Sequence, residues 1–218
     1  RMSVQNNPIE VGTMVSSILY NRGRGYVTRI HGAQRPDTVR RLSGTAITAG
    51  GAATFDIVFE SGSYSRLLPE AILHGVQWTI HDREEGFADK EQLAALCRHA
   101  DEVIAQQVAQ AEAAQAAFEQ EIARLRADTA HAMLTQGDTG DGTIAAKNIR
   151  VLLKEAFPTV KFSVRKRHYG ALTVSWAEGP DSNAVEAITD LFRSGHDGNA
   201  TPWMMVFGHA EYIFTSRS

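Results

Sequence analysis

Between residues 11 and 80, apolar and polar positions alternate in short runs broken by glycine, a period of two that predicts strands. Val15, Ile18 and Tyr20 lead into Asn21-Arg22-Gly23-Arg24-Gly25, after which Tyr26-Val27-Thr28-Arg29-Ile30 alternates. This predicts a hairpin whose turn uses Gly23 and Gly25 for positive φ. Residues 55–60, the turn Ser61-Gly62-Ser63 and residues 64–67 predict a second hairpin, and Trp78-Thr79-Ile80 a closing strand. Four or five such strands bury themselves most economically in a small SH3-like barrel, which leaves no long open edge. Residues 33 to 53, carrying Ala, Gly, Thr and several arginines, read as a long exposed loop.

From Asp89 the period changes to steps of three and four. Leu93, Cys97, Ala100, Ile104, Val108, Ala111, Phe118, Ile122 and Leu125 form one narrow stripe, and neither Gly nor Pro interrupts the run before Gly137. An alanine-rich helix is expected, reaching to about Gln136, with Asp89 as its N-cap. A stripe needs a partner surface, so Leu93, Cys97, Ile104, Val108, Ala111, Phe118, Ile122 and Leu125 are candidates for self-association, including a homodimer through a coiled coil. Gln107 and Glu121 break a strict heptad, which favours antiparallel or intramolecular packing. Beyond Gly137-Asp138-Thr139-Gly140-Asp141-Gly142 the pattern starts afresh. A helix through Ile149, Leu152, Leu153 and Phe157 stops at Pro158; residues 161–165 and 171–176 alternate as strands; Val185, Ile188, Leu191 and Phe192 mark a helix, and residues 211–214 a last strand. The expected fold is α+β in three parts: an SH3-like β module at 1–84, a long helix at 85–136, and at 137–218 an α-β-β-α-β sandwich with two helices on one face of an antiparallel sheet.

Charge qualifies this picture. The net charge of −3 conceals a division: residues 1–82 hold 8 Lys/Arg against 6 Asp/Glu, residues 83–136 hold 5 against 10, and residues 137–218 hold 9 against 9. Nothing here resembles the markedly basic domain of a strong nonspecific duplex binder, so any nucleic-acid contact must be local. No run approaches the roughly 20 apolar residues of a bilayer span and no leader pattern is present, so no membrane contact is expected. A single cysteine, Cys97, forms no internal disulfide and points to the cytoplasm. Arg1 ahead of Met2 reads as an expression scar.

The residues Ile149-Arg150-Val151-Leu152-Leu153-Lys154-Glu155-Ala156-Phe157-Pro158, then Lys161-Phe162-Ser163-Val164, Val174-Ser175-Trp176, Gly179-Pro180 and Ala210-Glu211-Tyr212-Ile213-Phe214 follow a progression that resembles the large polyvalent protein-associated domains. The resemblance covers residues 144 to 216 and nothing comparable covers the first 140. It implies a mobile-element setting, plasmid or phage, with a role in establishment, transfer or evasion of host defence, and it brings no catalytic residues with it.

Lys161, Arg165, Lys166 and Arg167 beside Tyr169 make the best local candidate for holding a phosphate backbone, against the plainer reading of an edge strand protected by its charges. Arg22, Arg24 and Arg29 with Arg40 and Arg41 make a second candidate if they converge into one basic rim. The eight histidines show no metal-ligand spacing, and Asp138 and Asp141 lack the closing glutamate of a calcium loop, so neither a metal nor another cofactor is expected. No nucleophile elbow, phosphate loop or dinucleotide fingerprint occurs. The sequence therefore predicts a non-enzymatic interaction protein acting on a host or defence-system protein complex, with an accessory protein that binds DNA or RNA as the alternative.

Overall fold

The computed structural model describes residues 8–41, 48–195 and 198–217. The chain forms two compact units, Arg1–Ala111 and Glu112–Ser218. Both are mixed α and β, and the boundary falls inside one long helix.

The first unit contains β1 (Met14–Ser17), β2 (Gly23–His31), β3 (Arg40–Arg41), β4 (Thr48–Ala49), β5 (Thr54–Phe59), β6 (Tyr64–Pro69), the short helix α1 (Glu70–Leu73) and β7 (Trp78–Ile80). Its main sheet runs β6-β5-β2-β1-β7, antiparallel throughout. The two outer strands do not pair, so the sheet stays open and the SH3-like barrel is not formed. The physical reason is α1, which packs against both β6 and β7 and plugs the space between them with the fully buried Leu73. Val15, Val27, Phe55, Ile57 and Phe59 fill the core on one face.

The turn between β1 and β2 also differs from expectation. Positive φ falls on Tyr20, Asn21 and Gly23, not on Gly25. Gly25 is required for a different reason: a Cβ there would stand 2.9 Å from Ile57, Phe59 and the Val58 carbonyl. The loop expected at 33–53 is partly ordered as the two-stranded ribbon of β3 and β4; its residues 42–47 lie outside the described residues.

Helix α2 (Lys90–Ala127) opens on a reciprocal cap in which the Gln92 N–H donates to the Asp89 carboxylate at 2.8 Å and the Asp89 N–H to the Gln92 amide oxygen at 2.9 Å. It ends nine residues earlier than expected, because Asp128 turns extended and its carboxylate accepts from the Ala130 N–H to start a 3₁₀ turn. The stripe is divided. Leu93 and Ala100 are buried, and the Cys97 carbonyl accepts from the Tyr64 hydroxyl, all within the first unit. Ile122 and Leu125 join the second unit's core, with Phe118 half-buried. Ile104, Val108 and Ala111 remain exposed. No described helix is long and apolar enough to cross a membrane.

The second unit holds α3 (Thr143–Ala156), β8 (Ser163–His168), β9 (Ala171–Trp176), α4 (Ser182–Thr189), α5 (Pro202–Phe207) and β10 (Tyr212–Arg217). Its sheet runs β10-β9-β8 and is mixed, not antiparallel, because β10 lies parallel to β9. The apolar run at Trp203–Phe207 is a helix that the sequence reading lacked, capped by the Thr201 hydroxyl and burying Met204, Val206 and Phe207. Asn148, fully buried, ties this unit together: it accepts from the Thr135 N–H and donates to the carbonyls of Thr135 and Phe207.

Glu70 anchors the first unit. Only 1% exposed, its carboxylate accepts backbone N–H groups from Arg35, Ala52 and Ala53 at 2.8–3.1 Å, clamping both feet of the β3–β4 segment. Burial raises its pKa, but these three donors outweigh burial and hold it below its ordinary 4.5. Protonation therefore favours the unfolded chain: the stabilisation is complete above the ordinary value and disappears as pH falls through the lower folded one. Glu70→Gln is expected to lose about 1.5–3 kcal/mol at neutral pH by urea unfolding. The gap from wild type should close on acidification, and a gap that stays constant with pH would attribute it to packing instead.

Candidate nucleic-acid interface

The second unit's helices cover only one face of its sheet. On β9, Leu172, Val174 and Trp176 point inward and are buried; on β10 Ile213 does the same, and on β8 Val164. The period of two sends the residues between them to the other face. There, Phe214 on β10, Thr173 on β9 and Arg165 on β8 stand in register as one row across the three strands. Ser216, Ser175 and Ser163 make the next row. Tyr212 and Phe214 lie on this face with rings at 13° and centroids 6.3 Å apart, and they are 42% and 56% exposed. Two large stacked rings on an uncovered sheet face are a surface on which flat groups pile at low entropic cost.

The β8–β9 turn places Tyr169, 83% exposed, at one end of this face. Arg165 and Arg167 are exposed along β8, and Lys161 is exposed just before the strand, at its opposite end from Tyr169. Lys166 behaves differently from the cluster it was assigned to. Its register partner is the inward Leu172, and its Nζ donates to Asp141 Oδ2 at 2.6 Å and to the Thr143 hydroxyl at 3.0 Å, at the start of α3. Lys166, followed by the hydroxyl and N–H of Thr143, holds the Asp141 carboxyl far below its usual range. Asp141 thus serves as an anchor for β8.

The arginines of the first unit do not gather into one rim. Arg22 lies over the rings of Tyr20 and Phe59, 5.8 and 5.4 Å from their centroids, and Arg24 follows at the same end of β2. Arg29 pairs in register with Asp56 near the other end, from which the chain passes to Arg40 and Arg41. Five residues at about 3.3 Å each separate Arg24 from Arg29 along β2 by roughly 17 Å. Among the described residues no group of three His, Cys, Asp or Glu could hold a metal ion, and His196 lies outside them.

Tyr212 and Phe214 were missed as site residues because alternation identifies a strand without telling which of its faces the helices leave bare. Two aromatics at i and i+2 next to buried Ile213 were the available signal.

Residues 6–129 match the family model described as large polyvalent protein associated domain 30, and residues 141–218 match large polyvalent protein associated domain 29. The likeness therefore extends over the N-terminal part, beyond the last third where the sequence alone suggested it. No curated protein and no solved structure matches.

The geometry predicts that Lys166→Met and Asp141→Asn each lower stability and that the double variant loses little more than either alone, with a coupling of about 0.5–1 kcal/mol by urea unfolding. Additive losses would show that the pair contributes nothing as a pair.

Proposed function

The chain belongs to the large polyvalent protein associated domain 30 family, and from that premise we propose that it is an accessory protein of a mobile element whose C-terminal sheet face binds single-stranded nucleic acid. Domains of this kind are associated with polyvalent proteins of mobile elements, which is compatible with an accessory role. The carrying observation is the exposed Tyr212–Phe214 stack in register with Arg165 across Thr173. Unpaired bases have free faces that stack on such rings, and Arg165, in the same row as Phe214, is a partner for the phosphates, with Arg167 and Lys161 exposed farther along the strand. A duplex hides its base faces, and residues 137–218 have no excess of cations to bind one by charge alone.

A second reading rests on a different observation. Ile104 and Val108, 40% and 51% exposed, are large apolar side chains in the middle of α2. An apolar stripe left in water favours a protein contact there, with a host or defence-system protein or a second copy of the chain.

In fluorescence anisotropy with a labelled single-stranded oligothymidine, Tyr212→Ala and Phe214→Ala should each weaken binding by about 5- to 100-fold, the equivalent of one lost stacking partner. Arg165→Ala should reduce the slope of log affinity against log salt by about 0.7. Absence of binding by the wild type at low salt would dismiss the reading. For the helix, light scattering of Val108→Asp tests self-association: a fall in mass supports a dimer, and an unchanged monomeric mass leaves α2 to a different protein.

A further inference from the structure

A serine, a histidine and a glutamate meet on the other face of the first unit's sheet. Ser16 Oγ lies 2.9 Å from His81 Nε2, and His81 Nδ1 lies 2.9 Å from Glu85 Oε2. Ser16 and His81 are 65 residues apart in sequence, which hides the array from any local motif. The sheet brings them together. β7 pairs with β1 so that Ser16 faces Thr79, and the His81 N–H extends the ladder by donating to the Met14 carbonyl at 3.0 Å. His81, two residues beyond Thr79, projects from the same face as Ser16.

A tight turn then returns the chain. The N–H groups of Glu85 and Gly86 both donate to the Asp82 carbonyl, setting Glu85 one turn from His81. Gly86 is needed for this approach, since a Cβ there would come within 2.7 Å of the Met14 sulfur. Arg83 braces the turn from outside, ion-paired to Glu10 at 3.0 Å and stacked over Phe87 at 3.7 Å.

The direction of the hydrogen bonds follows from valence. A carboxylate only accepts, so His81 Nδ1 carries the proton that Glu85 receives. In the neutral imidazole that leaves Nε2 with its lone pair, and the Ser16 hydroxyl must therefore donate to it. A hydroxyl donating to a histidine whose other nitrogen is held by a carboxylate is the arrangement that activates a serine. Arg24 is the register partner of Ser16 on β2 and stands exposed on the same face, one strand away from the hydroxyl. Two pairs further along, Tyr26, opposite Met14, begins a cleft of about 310 Å³ lined by the apolar Phe87, Ala88, Ala95 and Leu96 and by the polar Glu60 and Gln92.

We propose that Ser16 is a nucleophile for acyl transfer from carboxylic esters with a small acyl group, with His81 as general base, Glu85 as its positioning residue and Arg24 facing the developing oxyanion. Ser16 Oγ bonds to the ester carbonyl carbon while its proton passes to His81 Nε2. The tetrahedral anion then collapses, the bond to the alcohol oxygen breaks, and His81 returns the proton to the departing alkoxide. Water attacks the acyl-serine by the same route, His81 taking its proton and giving it back to Ser16 Oγ, and the carboxylic acid is released.

The full chain is treated with a fluorophosphonate probe and with p-nitrophenyl acetate, and adducts are mapped by peptide mass spectrometry. The expected result is a phosphonyl adduct, and transient acetylation, on Ser16 in preference to neighbouring Ser17. His81→Gln should slow labelling about 100-fold or more, the usual scale of a lost general base. Glu85→Gln changes a side chain that is 61% exposed and leaves the sheet intact, and it should slow labelling about tenfold with the melting temperature unchanged. An unlabelled Ser16 in the wild type, labelling spread evenly over the serines, or a rate at Ser16 unaffected by Glu85→Gln would each overturn the assignment.

Discussion

Strand alternation sends neighbouring side chains to opposite faces of a sheet, and most of what distinguishes this protein follows from that constraint. In the second unit α3, α4 and α5 pack over Leu172, Val174, Trp176 and Ile213, and the opposite face is left to Thr173, Ser175, Arg165 and the aromatic pair. In the first unit the core claims Val15, Val27, Ile57 and Phe59, and Ser16, Arg24, Thr79 and His81 are turned the other way by the same alternation. Both sets of chemically capable side chains are therefore by-products of burial: each is held firmly because its neighbours one residue away are locked in a core.

Acidic residues perform much of the internal fixing. Glu70 collects three backbone donors, and Asp56 accepts from the Leu67 N–H at 2.8 Å and pairs with His31 at 3.0 Å. Asp141 holds Lys166 and Thr143, and Asp89 starts the long helix. Cations are more often left outside, on strands and turns where each keeps its hydration. The near balance of charge in the whole chain thus coexists with local exposed positive sites, because several negative charges, Glu70 and Asp56 buried among them, are committed to backbone N–H groups.

Much of this was legible in the sequence. The strands at residues 55–59 and 171–176, the glycine-punctuated turns, the Asp89 cap and the helical stripe all follow from periods and capping chemistry that act over a few residues. What escaped was decided over longer distances. Closure of the first sheet depended on where α1 would settle, and a four-residue helix has too little pattern to announce itself. The direction of β10 depended on the long connection through α4 and α5. Lys166 looked equivalent to Arg165 and Arg167 until a bulge between Lys166 and His168 and the proximity of Asp141 separated them. Ser16 and His81 carry no local signature at all, and only the β1–β7 pairing makes them neighbours.

The parallel pairing of β10 with β9 has a kinetic consequence. A hairpin such as β8–β9 closes through a turn of two residues, whereas β10 must return across the 35 residues that separate Trp176 from Tyr212 before its first bond to β9 can form. Loop closure of that length is slow compared with hairpin formation, so β10 is the strand expected to join last. Until it docks, Tyr212 and Phe214 are two aromatics on a loose segment, and only the finished fold presents them as a stacked pair.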